Sequence, residues 1–448
     1  MMMKRTCFFM ACLFFLELSS QNPLVTHMFT ADPTARVFDG KLYVFPSSDT
    51  YPPAGREKEF PRFCMPGYHA FSLEKGSTWK DHGWILKEND VPWGDKDTFA
   101  MWAPDCIKKG DTYYYYYPAK PKDGSSFRRI GVGTSKNPTG PFKWEKNYIK
   151  GISGIDPGLF LDDDGKGYIY FAGDKTIKAA RLKDNMKEIQ GEPIKVQGIP
   201  AGYVEGPFTF KRNDTYYLTF AHVFPDEGYT IGYATSKNPM GPFVYAGKIM
   251  DNINNGTNHH SIVKYNGKWI LFYHHWDLSG FSKLRSMCAD YMEFKKDGTI
   301  KKVKRTKRGI GNPTIGELIQ VDRYNEISGG AKTAFVGGDE PDGWMVCETP
   351  MMSSVKFNGV DFGNGTATKM QARIASGQRI GSFEIHLKHP KGKLIATFPV
   401  KYTGGWNSWT TIETELTEKV TGLQDIVVVF KSDWGATKIV NLNWLLLK

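Results

Sequence analysis

Three carboxylate residues share one setting in this sequence. Asp32 and Asp156 are each followed by proline and Glu205 by Gly-Pro, and each lies ten to twelve residues before an aromatic run. Trp102 and His259 hold the equivalent positions before two further runs of this kind. A buried carboxylate costs free energy unless it is paired or used in chemistry. Each acid alone would indicate a salt bridge or a turn cap, but three at equivalent positions favour an acid/base site.

Glycoside hydrolysis is the chemistry that uses such a set. One carboxylic acid protonates the leaving oxygen, and a second carboxylate takes a proton from a water on the opposite face of the sugar. A third carboxylate raises the pKa of the acid by like-charge repulsion, which keeps the acid protonated near neutral pH. The indole of Trp102 offers a flat apolar surface for a sugar ring.

The aromatic runs belong to a pattern that occurs five times. In each copy a turn rich in Gly, Asp or Asn, which suits the positive φ angles of a tight hairpin, precedes aromatic and β-branched residues that suit a strand. The first aromatic residues of the copies are Tyr43, Tyr113, Tyr168, Tyr216 and Trp269. A period of roughly 50 residues built of strands predicts the blades of a β-propeller, whose innermost strands surround one channel. The five candidate positions would converge there.

Residues from about 21 to 310 resemble glycoside hydrolase family 43. The resemblance rests on the segment 22–33, on Gly-Ile-Asp156-Pro-Gly and on Val-Glu205-Gly-Pro. It implies an all-β fold with a five-bladed β-propeller over residues 21–312, in which Asp32 is the general base, Asp156 the pKa modulator and Glu205 the general acid. The family inverts configuration, which implies about 6.5 to 9.5 Å between base and acid.

Two further residues follow from the same resemblance. The segment Asn-His259-His260-Ser is similar to the part of the family that places a histidine at the channel centre, where it contacts calcium through water; His259 is the preferred candidate and His260 the alternative. Arg285 resembles the arginine that reaches the substrate from the last blade. The alternatives are a core histidine and a surface ion pair. Calcium is the one cofactor that the resemblance suggests.

From about residue 317 the sequence changes to short alternating strands with glycine-rich turns, which predicts a β-sandwich over residues 317–448. Its Gly-Gly-Trp406-Asn-Ser-Trp run resembles carbohydrate-binding module family 6, a jelly-roll. By that resemblance Trp406 stacks on a sugar, Asn441 hydrogen-bonds it and Trp344 is the second stacking aromatic. The module's usual acidic metal-binding pair reads Gln320-Val-Asp322 here, which speaks against a metal in the module.

The N-terminal 20 residues have a basic start, a short apolar run and small polar residues, a layout typical of a secretory signal peptide. This pattern predicts a secreted or periplasmic protein. No later segment is apolar enough to predict a membrane span. The four cysteines beyond the predicted signal are scattered singly, which favours free buried thiols over a disulfide framework or a zinc site.

Composition limits the remaining classes. In 448 residues there are 47 Gly and 25 Pro, too many for a helical bundle. The formal charge of +11 raises the alternative of nucleic-acid binding, because six of the eight residues in 301–308 are basic. A run of like charge is usually solvated, so we interpret 301–308 as an exposed strand edge at the domain boundary and expect no nucleic-acid partner.

The sequence therefore predicts a secreted, inverting exo-glycosidase that removes terminal α-L-arabinofuranosyl units from plant cell-wall polysaccharide or oligosaccharide such as arabinoxylan. A β-xylosidase or exo-β-galactanase on the same framework is the first alternative, because the loops around the site decide the sugar. A non-catalytic carbohydrate-binding protein is the alternative from another class.

Overall fold

The computed structural model describes residues 22–448 except 60–62, 75, 77, 226, 255, 336–343, 380 and 433–434. The predicted signal peptide, residues 1–20, lies outside the described residues. The described chain is all-β, as predicted, and its only helices are two short 3₁₀ turns, Glu57–Glu59 and Glu88–Asp90. None of its helices has the length and hydropathy of a membrane span.

Five antiparallel sheets follow one another in the first two thirds of the described chain. Sheet 1 contains β1 (Phe29–Phe38), β2 (Lys41–Asp49), β3 (Gly67–Leu73) and β4 (Trp79–Lys87). Sheet 2 contains β5 (Asp105–Lys109), β6 (Thr112–Ala119), β7 (Arg129–Ser135) and β8 (Lys143–Trp144). Sheet 3 contains β9 (Ile155–Leu161), β10 (Gly167–Gly173), β11 (Thr176–Leu182) and β12 (Ile189–Lys195).

The last two of these sheets follow the same order. Sheet 4 contains β13 (Tyr203–Arg212), β14 (Thr215–Phe224), β15 (Gly228–Ser236) and β16 (Val244–Met250). Sheet 5 contains β17 (Ser261–Tyr265), β18 (Lys268–His275) and β19 (Ser286–Met292). The start of the described chain lies beside sheet 5, where Leu24 N–H donates to Met287 O of β19 at 2.8 Å.

The five predicted hairpins are confirmed, since each aromatic anchor lies in the second strand of a sheet. The turn between β1 and β2 shows the local cause. Asp39 and Gly40 have φ angles of 50° and 78°, and Asn266 and Gly267 repeat the pattern between β17 and β18 with 47° and 76°. Two successive positive φ angles are what a tight two-residue hairpin turn requires, and Asp, Asn and Gly tolerate them best.

The first strands of the sheets contact one another in sequence. β1 contacts β5, β5 contacts β9, β9 contacts β13, β13 contacts β17, and β17 contacts β1. Arg36 of β1 donates to both carboxylate oxygens of Asp105 on β5, at 2.9 and 2.5 Å, and to Leu159 O of β9 at 2.8 Å. The starts of the five strands therefore face a common space.

Aromatic side chains pack between adjacent sheets. Phe45 of β2 meets Tyr115 of β6 edge to face at 5.7 Å, and Phe160 of β9 meets Tyr216 of β14 in the same way, also at 5.7 Å. Such pairs contribute about 0.5–1.5 kcal/mol beyond their buried area. The recurring aromatic runs thus stabilise the contacts between sheets.

The C-terminal part consists of two antiparallel sheets, A and B, that share one hydrophobic core. The strands in chain order are β20 (Leu318–Gln320), β21 (Glu326–Ser328), β22 (Lys332–Phe335), β23 (Trp344–Cys347), β24 (Ser354–Asp361), β25 (Lys369–Ser376), β26 (Ser382–Leu387), β27 (Leu394–Pro399), β28 (Gly405–Glu415), β29 (Leu423–Lys431) and β30 (Asn441–Leu447). Sheet A has the order β22-β23-β30-β25-β28 with β20 beside β30, and sheet B the order β21-β24-β29-β26-β27.

The interpretation of the basic segment 301–308 as a strand edge is wrong. The structure assigns no strand to it, and only separate backbone bonds attach it, such as Val303 N–H to Ile249 O at 2.7 Å. Lys302 pairs with Asp251 at 2.8 Å, while Arg308 is buried and donates to Gly311 O and Asn358 O. The charges are therefore partly neutralised and partly placed at the junction with the C-terminal sheets.

The cysteine prediction is confirmed. Cys64, Cys106, Cys288 and Cys347 are all free and buried. Burial raises the pKa of each thiol, so they behave as apolar core residues.

Candidate active site

A cavity of about 370 Å³ lies where the starts of the first strands meet. Its lining includes all six residues predicted for the catalytic part, Asp32, Trp102, Asp156, Glu205, His259 and Arg285. Each of the five sheets contributes to the cavity through a first strand or the loop beside it. The hairpin periodicity predicted that five of them converge, and the family resemblance predicted the sixth, Arg285, which lies 253 positions from Asp32 in the sequence.

Asp32 lies at an irregular point of β1, where the register with β2 shifts between Ala31 and Thr34. Its φ angle of 48° is costly for a non-glycine residue, and such strain is typical of active sites. Ser47 Oγ donates to Asp32 Oδ2 at 2.6 Å, and Arg285 Nη1 donates to Asp32 Oδ1 at 3.0 Å. Burial alone would raise the pKa of Asp32, but Arg285, His259, His274 and the Ser47 hydrogen bond together outweigh it, and the pKa falls to about 2. Asp32 is ionised at neutral pH.

His274 holds the backbone of Asp32. The Asp32 N–H donates to His274 Nδ1 at 3.2 Å, so this nitrogen carries no proton. The other nitrogen, Nε2, must then donate, and Thr257 O lies 3.1 Å away. Burial lowers the pKa of His274 to about 3, which keeps the ring in this neutral form. His274 was not among the site residues predicted from the sequence.

Asp156 is the second residue of β9 and has a φ angle of 54°. Its Oδ2 accepts a hydrogen bond from the Gly206 N–H at 3.0 Å, and His259 Nδ1 lies 3.8 Å from the same oxygen. Burial, and then the charges of Glu205 and Asp32, raise the pKa of Asp156 well above its ordinary value. The Asp156–Glu205 pair therefore retains a proton at a higher pH than an isolated carboxyl would.

Glu205 lies between two irregularities of β13. The register with β14 shifts on both sides of Glu205, between Tyr203 and Glu205 and again between Glu205 and Phe208. Gly206, which follows, has a φ angle of 65°, and a Cβ there would stand 3.1 Å from His259 Nδ1. Bulges commonly re-aim side chains beside active sites. Here they place the half-buried Glu205 carboxyl on the cavity wall.

Arg285 is buried, not on the surface, and binds a carboxylate that was not predicted from the sequence. Its Nε and Nη2 donate to the two oxygens of Asp49 at 2.8 and 2.9 Å, while Nη1 donates to Asp32. The guanidinium also lies over the ring of Phe63, 4.0 Å from its centre. Asp49 ends β2 and carries no local signal, because its partner is 236 residues away in sequence.

Trp102 lines the cavity, but one face of its indole is covered. The guanidinium carbon of Arg128 stands 3.3 Å from the centre of the Trp102 ring. A sugar that stacked on Trp102 would use the opposite face or displace Arg128. The charge of Arg128 also acts on Asp156 and slightly offsets the rise in its pKa.

Of the two neighbouring histidines, His259 lines the cavity and His260 does not. His260 is fully buried, with Nε2 2.7 Å from Thr219 Oγ1. The described residues contain no group of three or more His, Cys, Asp or Glu side chains that could hold a metal directly. The water-mediated calcium expected at His259 needs no such group and stays a prediction.

The three residues predicted for sugar binding in the C-terminal sheets differ in their exposure. Trp406 is half-buried, with Lys438 Nζ 4.2 Å from its ring centre. Asn441 is 1% exposed and its Nδ2 donates to Trp406 O at 2.7 Å, so the Asn441 amide holds the Trp406 backbone from inside. Trp344 is 36% exposed, and Lys307 Nζ lies 5.2 Å from its ring centre.

Known proteins resemble the chain over its whole described length. Xylosidase/arabinosidase 43A of Humicola insolens is 35% identical over 62% of this chain and 98% of its own. An arabinoxylan arabinofuranohydrolase of Paenibacillus polymyxa is 28% identical over 95% of this chain and 74% of its own. The crystal structure of CoXyl43, a β-xylosidase/α-arabinofuranosidase from a compost microbial metagenome in complex with xylotriose in calcium-free form, is similar with a TM-score of 0.57, 35% identity, and coverage of 64% of this chain and 97% of that chain.

Family models match two consecutive segments. The model described as glycosyl hydrolases family 43 matches residues 20–300, and the one described as carbohydrate binding module (family 6) matches residues 320–448. The first segment contains the cavity and its three carboxylates, and the second contains sheets A and B. The chain therefore belongs to glycosyl hydrolase family 43 and is a glycoside hydrolase with a C-terminal family 6 carbohydrate-binding module.

Proposed function

We propose that the enzyme is a secreted or periplasmic, inverting exo-glycosidase that removes terminal α-L-arabinofuranosyl units from arabinoxylan-type polysaccharide. The observation that carries the proposal is that Asp32, Asp156 and Glu205 line one cavity. Their surroundings lower the pKa of Asp32 and raise that of Asp156, as an acid/base site requires.

The reaction uses the protein's own side chains and water. Glu205 donates a proton to the glycosidic oxygen as its bond to the anomeric carbon breaks. Water attacks that carbon from the opposite face, and Asp32, which is ionised, accepts the water's proton. Two neighbouring carboxyl groups in a partly buried site cannot both ionise, so the Asp156–Glu205 pair holds one proton, and Glu205 is the member that delivers it to the glycosidic oxygen. The product is the free sugar with inverted configuration, and the leaving chain carries the transferred proton as a hydroxyl.

The architecture proposed for this reaction is a five-bladed β-propeller over residues 21–312, with sheets 1 to 5 as blades, and a jelly-roll sandwich over residues 317–448. The circular order of contacts among the first strands supports the propeller. The common core of sheets A and B supports the sandwich.

The sugar is proposed from the share of this chain that each named relative matches. The relative named arabinoxylan arabinofuranohydrolase matches 95% of the chain at 28% identity, catalytic part and module together. Xylosidase/arabinosidase 43A matches 62% at 35% identity, and the xylosidase/arabinosidase of Thermoclostridium stercorarium matches 87% at 24% identity. The first relation favours arabinofuranosyl side chains on a xylan backbone that the module would hold through Trp406. The other two make β-xylosidase the competing function.

Calcium stays a proposal with a limited role. Asn258, next to His259, has a fully buried amide for which the described residues offer neither atom a hydrogen-bond partner. Ordered water, or a hydrated cation held through water, would satisfy that amide. The residues that would contact such an ion are His259 and Asn258, and it would supply positive charge beneath the carboxylates.

Product analysis tests the proposed function. We expect arabinose as the sole monosaccharide released from arabinoxylan, with ¹H NMR showing the inverted anomer first. Xylose released from xylo-oligosaccharides would instead establish the xylosidase. No turnover of arabinan, arabinoxylan, xylo-oligosaccharides or galactan would defeat the enzyme proposal.

Glu205→Gln is the matched substitution at the proposed acid. It keeps the size of the side chain but cannot donate the proton, so kcat on arabinoxylan should fall about 10²–10⁴-fold. The loss should be much smaller on an aryl arabinofuranoside with an acidic phenol, which leaves without protonation. Equal losses on both substrates would contradict the assignment of Glu205 as general acid.

A further inference from the structure

Asp49 forms the most completely bonded ion pair beside the proposed site. Its Oδ2 accepts from the backbone N–H and from Nε of Arg285, both at 2.8 Å, and its Oδ1 accepts from Nη2 at 2.9 Å. Both side chains are almost completely buried, with 0% and 2% exposure. A paired fork of this kind fixes the plane of the guanidinium as well as its position.

The remaining donors of Arg285 are also occupied. Nη1 donates to Asp32 Oδ1 at 3.0 Å and to Thr257 Oγ1 at 3.3 Å, and the second hydrogen of Nη2 points to Met65 Sδ at 3.8 Å. A guanidinium has five N–H donors, so each has a protein partner. Arg285 would therefore have to give up one of these hydrogen bonds before it could donate to a sugar hydroxyl.

We propose that Asp49 is a positioning residue, which acts through Arg285 to hold Asp32 in the geometry of a general base. The proposal rests on the function proposed above. Because Asp49 occupies the forked edge of the guanidinium, only a single N–H of Nη1 reaches Asp32, and it binds only Oδ1.

The other carboxylate oxygen, Asp32 Oδ2, is bound by Ser47 Oγ. Without the negative charge at position 49, the buried guanidinium would have one carboxylate left and would turn its fork towards Asp32. A bidentate pair would move the Asp32 carboxylate and stabilise its ionised form further, so that it accepts a proton less readily.

A second buried pair supplies a matched control. Asp105 accepts from Nε and Nη2 of Arg36 at 2.9 and 2.5 Å and is 1% exposed as a side chain. It also accepts from the backbone N–H groups of Leu159 and Cys106. The pair resembles Asp49–Arg285 in its forked geometry and in the burial of its carboxylate, but Asp105 is not among the residues that line the cavity.

The experiment compares Asp49→Asn, Asp49→Glu and Asp105→Asn on one aryl arabinofuranoside or xyloside, whichever the wild type hydrolyses. A displacement of about 1 Å costs roughly 100-fold in rate. We expect Asp49→Asn to lower kcat by about that factor with KM within about twofold, because the base moves while the sugar-binding groups stay. Asp49→Glu, which keeps the charge, should recover part of kcat. Asp105→Asn should lower the melting temperature and leave kcat and KM unchanged below it.

Three results would overturn the proposal. They are a folded Asp49→Asn enzyme with wild-type kcat, a rise in KM without a fall in kcat, and an equal fall in kcat for Asp105→Asn. If circular dichroism shows that Asp49→Asn does not fold, Asp49→Glu decides by the same criteria; failure of both to fold would show that Asp49 is structural only. The wild-type measurement separates the two proposals, since an inactive wild type would refute the proposed function and with it the role of Asp49, whereas the three results above refute the role of Asp49 alone.

Discussion

Asp32 and Asp156 start from the same local sequence and end in opposite electrostatic states. Each precedes proline, is buried and has a left-handed backbone. Burial raises the pKa of both. At Asp32, Arg285 together with His259, His274 and the Ser47 hydrogen bond reverses the effect, while at Asp156 the charge of Glu205 adds to it. Local sequence identified both residues as candidates. It could not distinguish their protonation, because the deciding charges come from β13 and from the loop before β19.

Asp156→Asn should make stability less dependent on pH. The raised pKa means that native Asp156 holds its proton where the unfolded chain, with a pKa of 3.8, has lost it. Its contribution to stability is therefore complete below pH 3.8 and is lost as pH rises through the native pKa, at about 1.4 kcal/mol for each pH unit between the two pKa values. The amide introduced by the substitution does not titrate, so the variant's melting temperature should rise relative to wild type between pH 4 and pH 8.

Thermal unfolding of both proteins at several pH values checks this, and kcat should fall in the same variant. A melting-temperature difference that stays constant from pH 4 to pH 8 would contradict it. Asp32 has the opposite sign. Its stabilisation is present above pH 3.8 and is lost as pH falls through about 2, so it does not contribute to the difference.

At the scale of strands, the distance between the proposed acid and its modulator depends on one glycine. Gly158 of β9 lies against β13 so closely that a Cβ would stand 2.1 Å from Pro207 O. Gly165, in the turn after β9, has a φ angle of 78° and open space around it. The two glycines therefore separate the effect of a close approach from the effect of a positive φ angle.

We expect Gly158→Ala to push β9 away from β13, at a cost of about 1–3 kcal/mol in the free energy of unfolding. Because Asp156 and Glu205 lie on these strands, kcat should also fall. Gly165→Ala should cost about 1 kcal/mol through backbone strain and leave kcat unchanged. Urea unfolding and steady-state kinetics on the two variants measure both effects. Equal kcat values in Gly158→Ala and wild type would refute the link between this contact and the site.

The repeating sequence pattern predicts the hairpin turns but not the bulges. The hairpin turns were predictable because a two-residue turn is encoded by adjacent residues such as Asp39-Gly40. The bulges around Glu205 were not, because they arise from packing against β14. Asp49 and His274 were missed for the same reason: the partner of Asp49 is Arg285, and that of His274 is the backbone of Asp32, 242 residues away.

At the scale of the whole molecule, side-chain hydrogen bonds join the module to the catalytic part. Thr78 Oγ1 donates to Glu317 Oε1 at 2.8 Å, and Arg323 Nη1 donates to Pro23 O at 3.3 Å, so the module contacts the catalytic part near its first and last sheets. Within the basic segment 301–308, Lys301 and Lys302 have acidic partners. The carboxylates that the function needs lie inside.

Asn22 joins the start of the described chain to sheet 5. Its Nδ2 donates to Thr306 O at 2.8 Å and Ala289 O at 3.0 Å, and its Oδ1 accepts from the Ala289 N–H at 2.7 Å. The residue is 6% exposed, so Asn22→Ala would leave buried backbone groups without partners. We expect a loss of about 3 kcal/mol in the free energy of unfolding.

Asn185→Ala is the control, because Asn185 is exposed and water can replace its two partners. Its Nδ2 donates to the exposed Glu188 at 2.8 Å, and its Oδ1 accepts from the Lys187 N–H at 3.0 Å. It should change stability by no more than about 0.5 kcal/mol. In Asn22→Ala, amide hydrogen exchange should accelerate first in β1 and β19, since those strands flank the junction where sheet 5 meets sheet 1. Exchange that accelerates uniformly, or a stability loss no greater than that of Asn185→Ala, would show that sheet 5 is held against sheet 1 by the contacts of β1 with β17 and β18 and not by the N-terminal segment.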